Sequence, residues 1–175
     1  NQETLSRMAE DGALDIAVEM TSLSRSHNMA GWRVGVIIGN AQRVDEILRF
    51  KSNMDSGMFY PMQEAAAYAL DTLSEEWFEE LNGIYYEREK AAKKILDAMG
   101  CTYDEHQAGL FLLAKIPDSF EGNCFDFSDK YLYGCGVFAT PALIFGSVGE
   151  RYIRVCLCQP KEVLEKAAVL AAELG

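Results

Sequence analysis

The stretch that decides the fold is residues 22–35, which run Ser22-Leu23-Ser24-Arg25-Ser26-His27-Asn28-Met29-Ala30-Gly31-Trp32-Arg33-Val34-Gly35. Apolar residues concentrated at 16–20 and 34–38 predict one strand before the stretch and another after it. The stretch itself combines serine hydroxyls, two arginines, and glycines that let a backbone approach a ligand closely. This combination predicts a loop between two strands that binds a phosphate or a carboxylate.

The same stretch resembles the cofactor-lysine signature of the class I/II pyridoxal-phosphate aminotransferases. In that family a serine or small residue stands three positions before the lysine, and an arginine stands eight positions after it. Ser22 and Arg33 match those two positions, while the lysine position itself is occupied by Arg25. The resemblance implies pyridoxal 5'-phosphate as the cofactor, with Ser22, Ser24 and Arg33 binding its phosphate and with Arg25 in the catalytic position.

Arg25 changes the chemistry that the family would otherwise imply. A guanidinium stays protonated up to about pH 12 and is a poor nucleophile, so it cannot form the Schiff base that a lysine forms with the cofactor. It keeps its hydrogen-bond donors, which suit a phosphate or a carbonyl oxygen. We therefore expect no covalent cofactor link at Arg25 and no appreciable transamination by this chain.

A second arginine of interest follows an apolar pattern near the C-terminus. Residues 149–157 resemble the strand whose arginine binds the substrate α-carboxylate in aminotransferases, and Arg154 is the matching position. An inward-facing arginine on an apolar strand requires an anionic partner, and from the residues alone a structural salt bridge is the other explanation. Arg151 is expected on the opposite side of the pleat, in solvent. The resemblance implies an amino acid and a 2-oxo acid as substrates.

The order of the predicted elements indicates an α/β protein. Residues 1–40 are predicted to form two strands and the lysine-type loop, residues 41–100 helices between two domains, and residues 101–175 a small α+β domain. Caps, breakers and apolar spacing predict helices over 41–54, 61–73, 74–99, 125–133 and 160–174. Strands are predicted over 15–20, 34–38, 101–105, 110–116, 137–140 and 152–157.

The resemblance gives these elements a known architecture. It implies the C-terminal part of the aspartate-aminotransferase-type fold (fold type I): two strands of the large-domain sheet, a long linking helix and the small α+β domain. Residues 51–59 resemble a loop of the LL-diaminopimelate and alanine-type enzymes that lies near the dimer seam. The chain begins at Asn1 and is similar to the latter part of a longer protein. The expected partner is therefore a second copy or a chain carrying the N-terminal half.

Composition limits the classes of ligand and compartment. The net charge of −11 argues against nucleic acids and anionic membranes as partners, and no apolar run approaches the ~18 residues of a membrane span. The five cysteines are odd in number and lack Cys-x-x-Cys spacing, and the two histidines are far apart, so no metal site is expected. We interpret the cysteines as reduced core residues of a cytoplasmic protein.

Two functions remain open at this point. The first is the C-terminal portion of an aminotransferase that transfers an amino group between an amino acid and a 2-oxo acid. That portion is expected to be inactive alone, because of Arg25 and because the N-terminal half of the family fold is not in the sequence. The alternative is a non-catalytic binding or assembly module derived from such an enzyme.

Overall fold

The computed structural model describes residues 12–175, and the chain divides into two compact units after Leu73. The second unit comprises Ser74–Gly175. The boundaries predicted at residues 40 and 100 stay predictions, and residues 1–11 of the predicted first segment lie outside the described residues. Each unit is described separately below.

The first unit begins with a helical turn and a hairpin. The turn α1 (Ala13–Ile16) is followed by β1 (Val18–Ser22), which pairs antiparallel with β2 (Gly35–Gly39). The strand predicted over 15–20 is wrong in its first half, because the Asp15 amide donates to the Gly12 carbonyl at 3.1 Å and closes a turn there. The strand instead continues to Ser22, opposite Gly35.

Two helices follow the hairpin, close to the ranges predicted from the sequence. Helix α3 (Ala41–Met54) begins after Asn40, whose Oδ1 accepts the amides of Gln42 at 2.9 Å and Arg43 at 3.3 Å. Helix α4 (Tyr60–Thr72) carries a proline in its first turn, where a missing N–H costs nothing. A side-chain cap therefore marks the start of α3, whereas α4 begins with a favourably placed proline and its N-cap, Phe59, makes no side-chain hydrogen bond.

The segment between β1 and β2 is anchored by its apolar residues. It contains the short helix α2 (Leu23–Ser26) and a 3₁₀ helix (Ala30–Trp32). Leu23, Met29 and Val34 are buried and form a cluster with Ala66 of α4. The apolar members of residues 22–35 thus fix the loop onto a helix, while most of its polar members remain at the surface.

The second unit is a four-stranded antiparallel sheet with three helices. Its strands lie in the order β3 (Thr102–Tyr103), β4 (Phe111–Lys115), β6 (Tyr152–Cys156) and β5 (Thr140–Pro141). Its helices are α5 (Glu75–Ala98), α6 (Cys124–Cys135) and α7 (Lys161–Leu174). Two 3₁₀ helices, Ala142–Phe145 and Ser147–Arg151, connect β5 to β6.

The strand predicted over 137–140 is shorter than expected. Only Thr140–Pro141 pairs with β6, because the preceding backbone bonds to α6 instead. The Val137 amide donates to the Tyr131 carbonyl at 3.3 Å, and the buried Ser128 hydroxyl donates to the carbonyl of Ala139. Residues 137–139 are therefore held by hydrogen bonds to α6 and not by pairing with a neighbouring strand.

One face of this sheet forms the core with the helices. The core face carries Leu112 and Ala114 of β4 and Ile153 and Val155 of β6, each less than 7% exposed. Burial in this core raises the pKa of the Cys101 thiol to about 12, as a structural cysteine requires. Within residues 12–175, no helix is long and apolar enough to cross a bilayer.

Candidate functional site

Three of the predicted site residues, Ser22, Ser24 and Arg33, line one concavity of about 280 Å³, referred to below as the serine–arginine concavity. Ser22 ends β1 and caps α2, because its Oγ accepts the Ser24 amide at 3.1 Å. The same Oγ donates to Ser24 Oγ at 2.9 Å. The cap therefore fixes both hydroxyls side by side at the start of the loop.

Hydrogen-bond donors remain available in the serine–arginine concavity. Ser22 Oγ lies within donating distance of Ser24 Oγ at 2.9 Å and of the Val34 carbonyl at 3.5 Å, and within residues 12–175 the Ser24 hydroxyl meets no acceptor other than Ser22 Oγ. Arg33 donates through Nη1 to the Ala30 carbonyl at 3.0 Å and makes no salt bridge with a described carboxylate. A tethered guanidinium without an anionic partner, beside a hydroxyl donor, suits the oxygens of a phosphate.

Two residues of this loop have a left-handed backbone conformation, which asparagine adopts more readily than arginine. Asn28 and Arg33 both have a φ of 54°, in the left-handed region that non-glycine residues seldom occupy. At Arg33 this conformation turns the chain from the 3₁₀ helix into β2. Residues held in such conformations cluster at ligand sites, where the surrounding packing imposes them. Here the buried cluster of Leu23, Met29 and Val34 supplies that packing.

Arg25 differs from the other loop residues of the signature. It lies in α2 with an exposed side chain and is not among the residues that line the serine–arginine concavity. The structure therefore groups Ser22, Ser24 and Arg33 and leaves Arg25 outside that group.

Arg154 lies on the sheet face opposite the core. Its neighbours in the strand, Ile153 and Val155, are buried, whereas Arg154 is only partly buried and pairs across the sheet with Leu113 and Thr140. The prediction that Arg154 faces inward is therefore wrong, because its side chain does not face the core. Strand alternation explains the difference, because residues beside a buried position point to the other face.

Two aromatic rings contact the Arg154 guanidinium. Its Cζ lies 4.2 Å from the ring centroid of Phe111 and 4.2 Å from that of Phe145. Within residues 12–175 it makes no salt bridge and no hydrogen bond. Arg154 also lines a second concavity of about 340 Å³, which includes Thr140 and Gln159 and is named here the Arg154 concavity. The structural salt bridge that the sequence left open is therefore not formed with any described residue.

The prediction that Arg151 is solvated is wrong. Its guanidinium donates to the carbonyls of Pro117, Phe120 and Gly122, the second at 3.1 Å. It therefore ties the segment before α6 to the start of β6. Sequence reasoning missed this role because the three acceptors are backbone atoms about thirty residues away.

Comparison with known proteins identifies the family. The family model described as aminotransferase class I and II matches residues 2–170. The chain belongs to this family. It is 37% identical over 174 residues to the LL-diaminopimelate aminotransferase of Oleidesulfovibrio alaskensis, covering 99% of this chain and 44% of that relative. It is 36% identical over 157 residues to the enzyme of that name from Aquifex aeolicus, covering 90% of this chain and 40% of the relative.

Solved structures share the fold. The apo structure of BacF from Bacillus subtilis superposes with a TM-score of 0.80 at 32% identity, over 93% of this chain and 41% of that one. The structure of a probable N-succinyldiaminopimelate aminotransferase from Thermus thermophilus superposes with a TM-score of 0.80 at 26% identity, over 94% of this chain and 43% of that one. The chain thus spans about two fifths of the length of its relatives. The predicted fold, the C-terminal part of fold type I, is confirmed.

Members of this aminotransferase family depend on pyridoxal phosphate, and the residues present fit one part of that group. The donors of Ser24 and Arg33 in the serine–arginine concavity suit a phosphate. Position 25 does not fit the cofactor's aldehyde, since a guanidinium forms no stable imine under the conditions in which a lysine does. No cluster of three or more metal-ligating side chains lies within residues 12–175.

Proposed function

We propose that this chain is the part of a pyridoxal-phosphate aminotransferase that binds the cofactor phosphate and the substrate carboxylate. The observation that carries the proposal is a pair of arginines, Arg33 and Arg154, each without an anionic partner among the described residues. In a chain with a net charge of −11, cations left uncompensated are available for anionic ligands. The two residues occupy the family positions for two different anions.

The proposed roles follow from the donors that each residue offers. Ser24 binds a phosphate oxygen through its hydroxyl, Ser22 does so by turning its proton from Ser24 Oγ to the phosphate, and Arg33 adds charge and further N–H donors. Arg154 binds the carboxylate of an amino acid or a 2-oxo acid through its guanidinium fork. When bound, pyridoxal phosphate supplies an electron-withdrawing ring and an aldehyde for amino-group transfer.

Arg25 limits what the chain does with the cofactor. We propose that pyridoxal phosphate binds without a covalent bond, held mainly by its phosphate, because the residue at position 25 is no nucleophile. An amine at this position would otherwise move the proton that amino transfer requires. Transamination by a polypeptide of these 175 residues is therefore expected to be absent.

Substrate, assembly and compartment are proposed from the relatives and the sequence. Several relatives at 34–38% identity are named LL-diaminopimelate aminotransferase, so we propose an amino acid of that class with a 2-oxo acid as acceptor. The resemblance of residues 51–59, the end of α3 and the turn after it, to a loop near the dimer seam supports assembly as a homodimer or with a chain that carries the N-terminal half of the fold. The buried thiols of Cys101 and Cys124 support a reducing, cytoplasmic setting.

Equilibrium dialysis against pyridoxal phosphate and against pyridoxal tests the phosphate part of the proposal. At equilibrium the wild-type protein should bind pyridoxal phosphate, whereas pyridoxal, which lacks the phosphate, should not bind measurably. Because no covalent bond is expected, exhaustive dialysis should then remove all of the bound pyridoxal phosphate. Arg43→Gln, which removes an exposed arginine paired with Glu46 on α3, is the matched control for Arg33→Gln. Equal retention of both compounds, or equal retention by Arg33→Gln and wild type, refutes the phosphate site.

The alternative function, a non-catalytic binding or assembly module, is favoured by one observation, the guanidinium at position 25. Such a module would bind a companion chain and would gain no activity from a lysine. Restoring the amine with Arg25→Lys and mixing the variant with the N-terminal half of a relative distinguishes the two proposals. Appearance of amino transfer supports the enzyme-derived proposal, whereas stable association without activity supports the module.

A further inference from the structure

Arg154 contacts two aromatic rings and makes no salt bridge with a described carboxylate. We propose that Phe111 and Phe145 are positioning residues, which hold the Arg154 guanidinium in place while leaving its charge uncompensated for a ligand carboxylate. This inference rests on the proposed function, in which Arg154 binds that carboxylate. It adds two residues to the candidate site.

The two rings reach Arg154 from different elements. Phe111 begins β4 and pairs with Cys156, two residues along β6 from Arg154, so it is a diagonal cross-strand neighbour. Phe145 ends the 3₁₀ helix Ala142–Phe145, directly before Gly146 with its φ of 143°. Each ring centroid lies 4.2 Å from Cζ of Arg154, within the range at which the ring quadrupole attracts a cation. The contact thus joins the sheet to the segment between β5 and β6.

Contact with aromatic rings, and not with a carboxylate, affects how Arg154 can bind a ligand. A carboxylate beside Arg154 would form a salt bridge, and an incoming ligand would have to displace it. Aromatic rings restrict a guanidinium without cancelling its charge or consuming its conventional hydrogen bonds. The N–H groups of Arg154 donate to no acceptor within residues 12–175. The rings therefore reduce the entropy that Arg154 loses on binding and keep its donors available.

Arg154 borders a concavity of mixed character. The Arg154 concavity has a volume of about 340 Å³, and Thr140 and Gln159 line it together with apolar residues that include Ile95, Val155 and Leu164 of the core. Thr140 is also the direct cross-strand partner of Arg154. A guanidinium is less strongly hydrated than an ammonium and is attracted to aromatic rings, so an arginine suits this position better than a lysine.

Titration of the ¹⁵N-labelled protein with pyruvate, observed at the arginine Nε–Hε signals, tests the inference. Pyruvamide, in which an uncharged amide replaces the carboxylate of pyruvate, is the control ligand. We expect saturable shifts of the Arg154 signal with pyruvate and none with pyruvamide. Phe111→Leu and Phe145→Leu keep apolar bulk but remove the ring, and each should weaken pyruvate binding about three- to tenfold. Phe145→Tyr, which retains a ring, should restore binding to the wild-type value.

Matched variants separate this inference from the proposed function. Phe125→Leu removes a 42% exposed ring from α6 and should leave pyruvate binding unchanged. Because Phe145 is 57% exposed, Phe145→Leu should keep the wild-type melting temperature, so a loss of binding is not a loss of fold. If wild type binds no pyruvate, or Arg154→Gln binds it equally, the proposed function fails. If Arg154→Gln loses binding but Phe145→Leu and Phe111→Leu retain it, only the positioning role is overturned.

Discussion

The backbone amide of Leu23 donates a hydrogen bond to the carbonyl of Val34 at 3.3 Å, and both side chains are buried. This pair closes the loop that follows β1 and precedes β2. Ser22, Ser24 and Arg33 are the immediate neighbours of these two residues, so the buried pair determines where the candidate phosphate ligands lie. Packing of this pair therefore positions the candidate phosphate-binding residues.

Leu23→Ala tests this packing. Leu23 is 3% exposed and packs against Met29, Val34 and Ala66, so truncation should lower the free energy of unfolding by about 2–5 kcal/mol. Urea unfolding followed by circular dichroism measures the loss. Leu48→Ala, at a residue 58% exposed on α3, should change stability by less than about 0.5 kcal/mol. Equal effects of the two variants would contradict the packing described here.

Arg33→Gln should weaken pyridoxal phosphate binding strongly. The variant keeps a polar side chain but loses the charge that the phosphate requires, and charge-assisted hydrogen bonds contribute about 1.5–3 kcal/mol. This corresponds to a dissociation constant roughly 10- to 100-fold higher, which isothermal titration calorimetry measures. Since charge supplies the difference, added salt should reduce the gap between wild type and variant. A gap that salt does not change would argue against an ionic contact.

Arg151→Met should destabilise the second unit. The substitution keeps an unbranched apolar stem but leaves the carbonyls of Pro117, Phe120 and Gly122 without their donor. We expect a loss of roughly 2–4 kcal/mol in the free energy of unfolding, measured by urea titration. Arg49→Met, at a side chain 79% exposed, is the control and should have little effect. A fully solvated Arg151 would give the same small effect as Arg49.

Glu87 should make stability depend on pH in acid. Salt bridges to Lys90 and Lys161, at 2.8 and 2.9 Å, lower the pKa of its carboxyl from 4.5 to about 2. Because the folded pKa is depressed, the stabilisation is present above pH 4.5 and is lost as pH falls from 4.5 towards 2. In Glu87→Gln the urea midpoint of unfolding should depend less on pH over this window than it does in Glu79→Gln, a control variant on the same helix. Parallel curves for the two variants would refute the assignment.

Local signals in the sequence predicted a large part of the fold. Helices were predicted to begin at residues 41 and 74, and Asn40 and Ser74 at these two starts each accept amides from the first turn of α3 and of α5. Such caps depend on three or four neighbouring residues, so sequence is sufficient to find them. The strand at 15–20 failed for the opposite reason, since an apolar alternation does not exclude a helical turn beginning at Gly12.

The candidate site was predicted in part. The resemblance supplied Ser22, Ser24, Arg33 and Arg154, and the first three line one concavity. The environment of Arg154 was not predictable, because Phe111 reaches it through strand register and Phe145 through a 3₁₀ helix. These features arise only from tertiary packing, which one sequence does not reveal.

The measurement that tests the central claim most directly is borohydride reduction in the presence of pyridoxal phosphate, followed by peptide mapping of wild type and Arg25→Lys. The account predicts a cofactor adduct on residue 25 of the variant, well above the labelling of the exposed Lys51, and none on residue 25 of the wild type. An adduct at Arg25, or no preference for position 25 in Arg25→Lys, would contradict it.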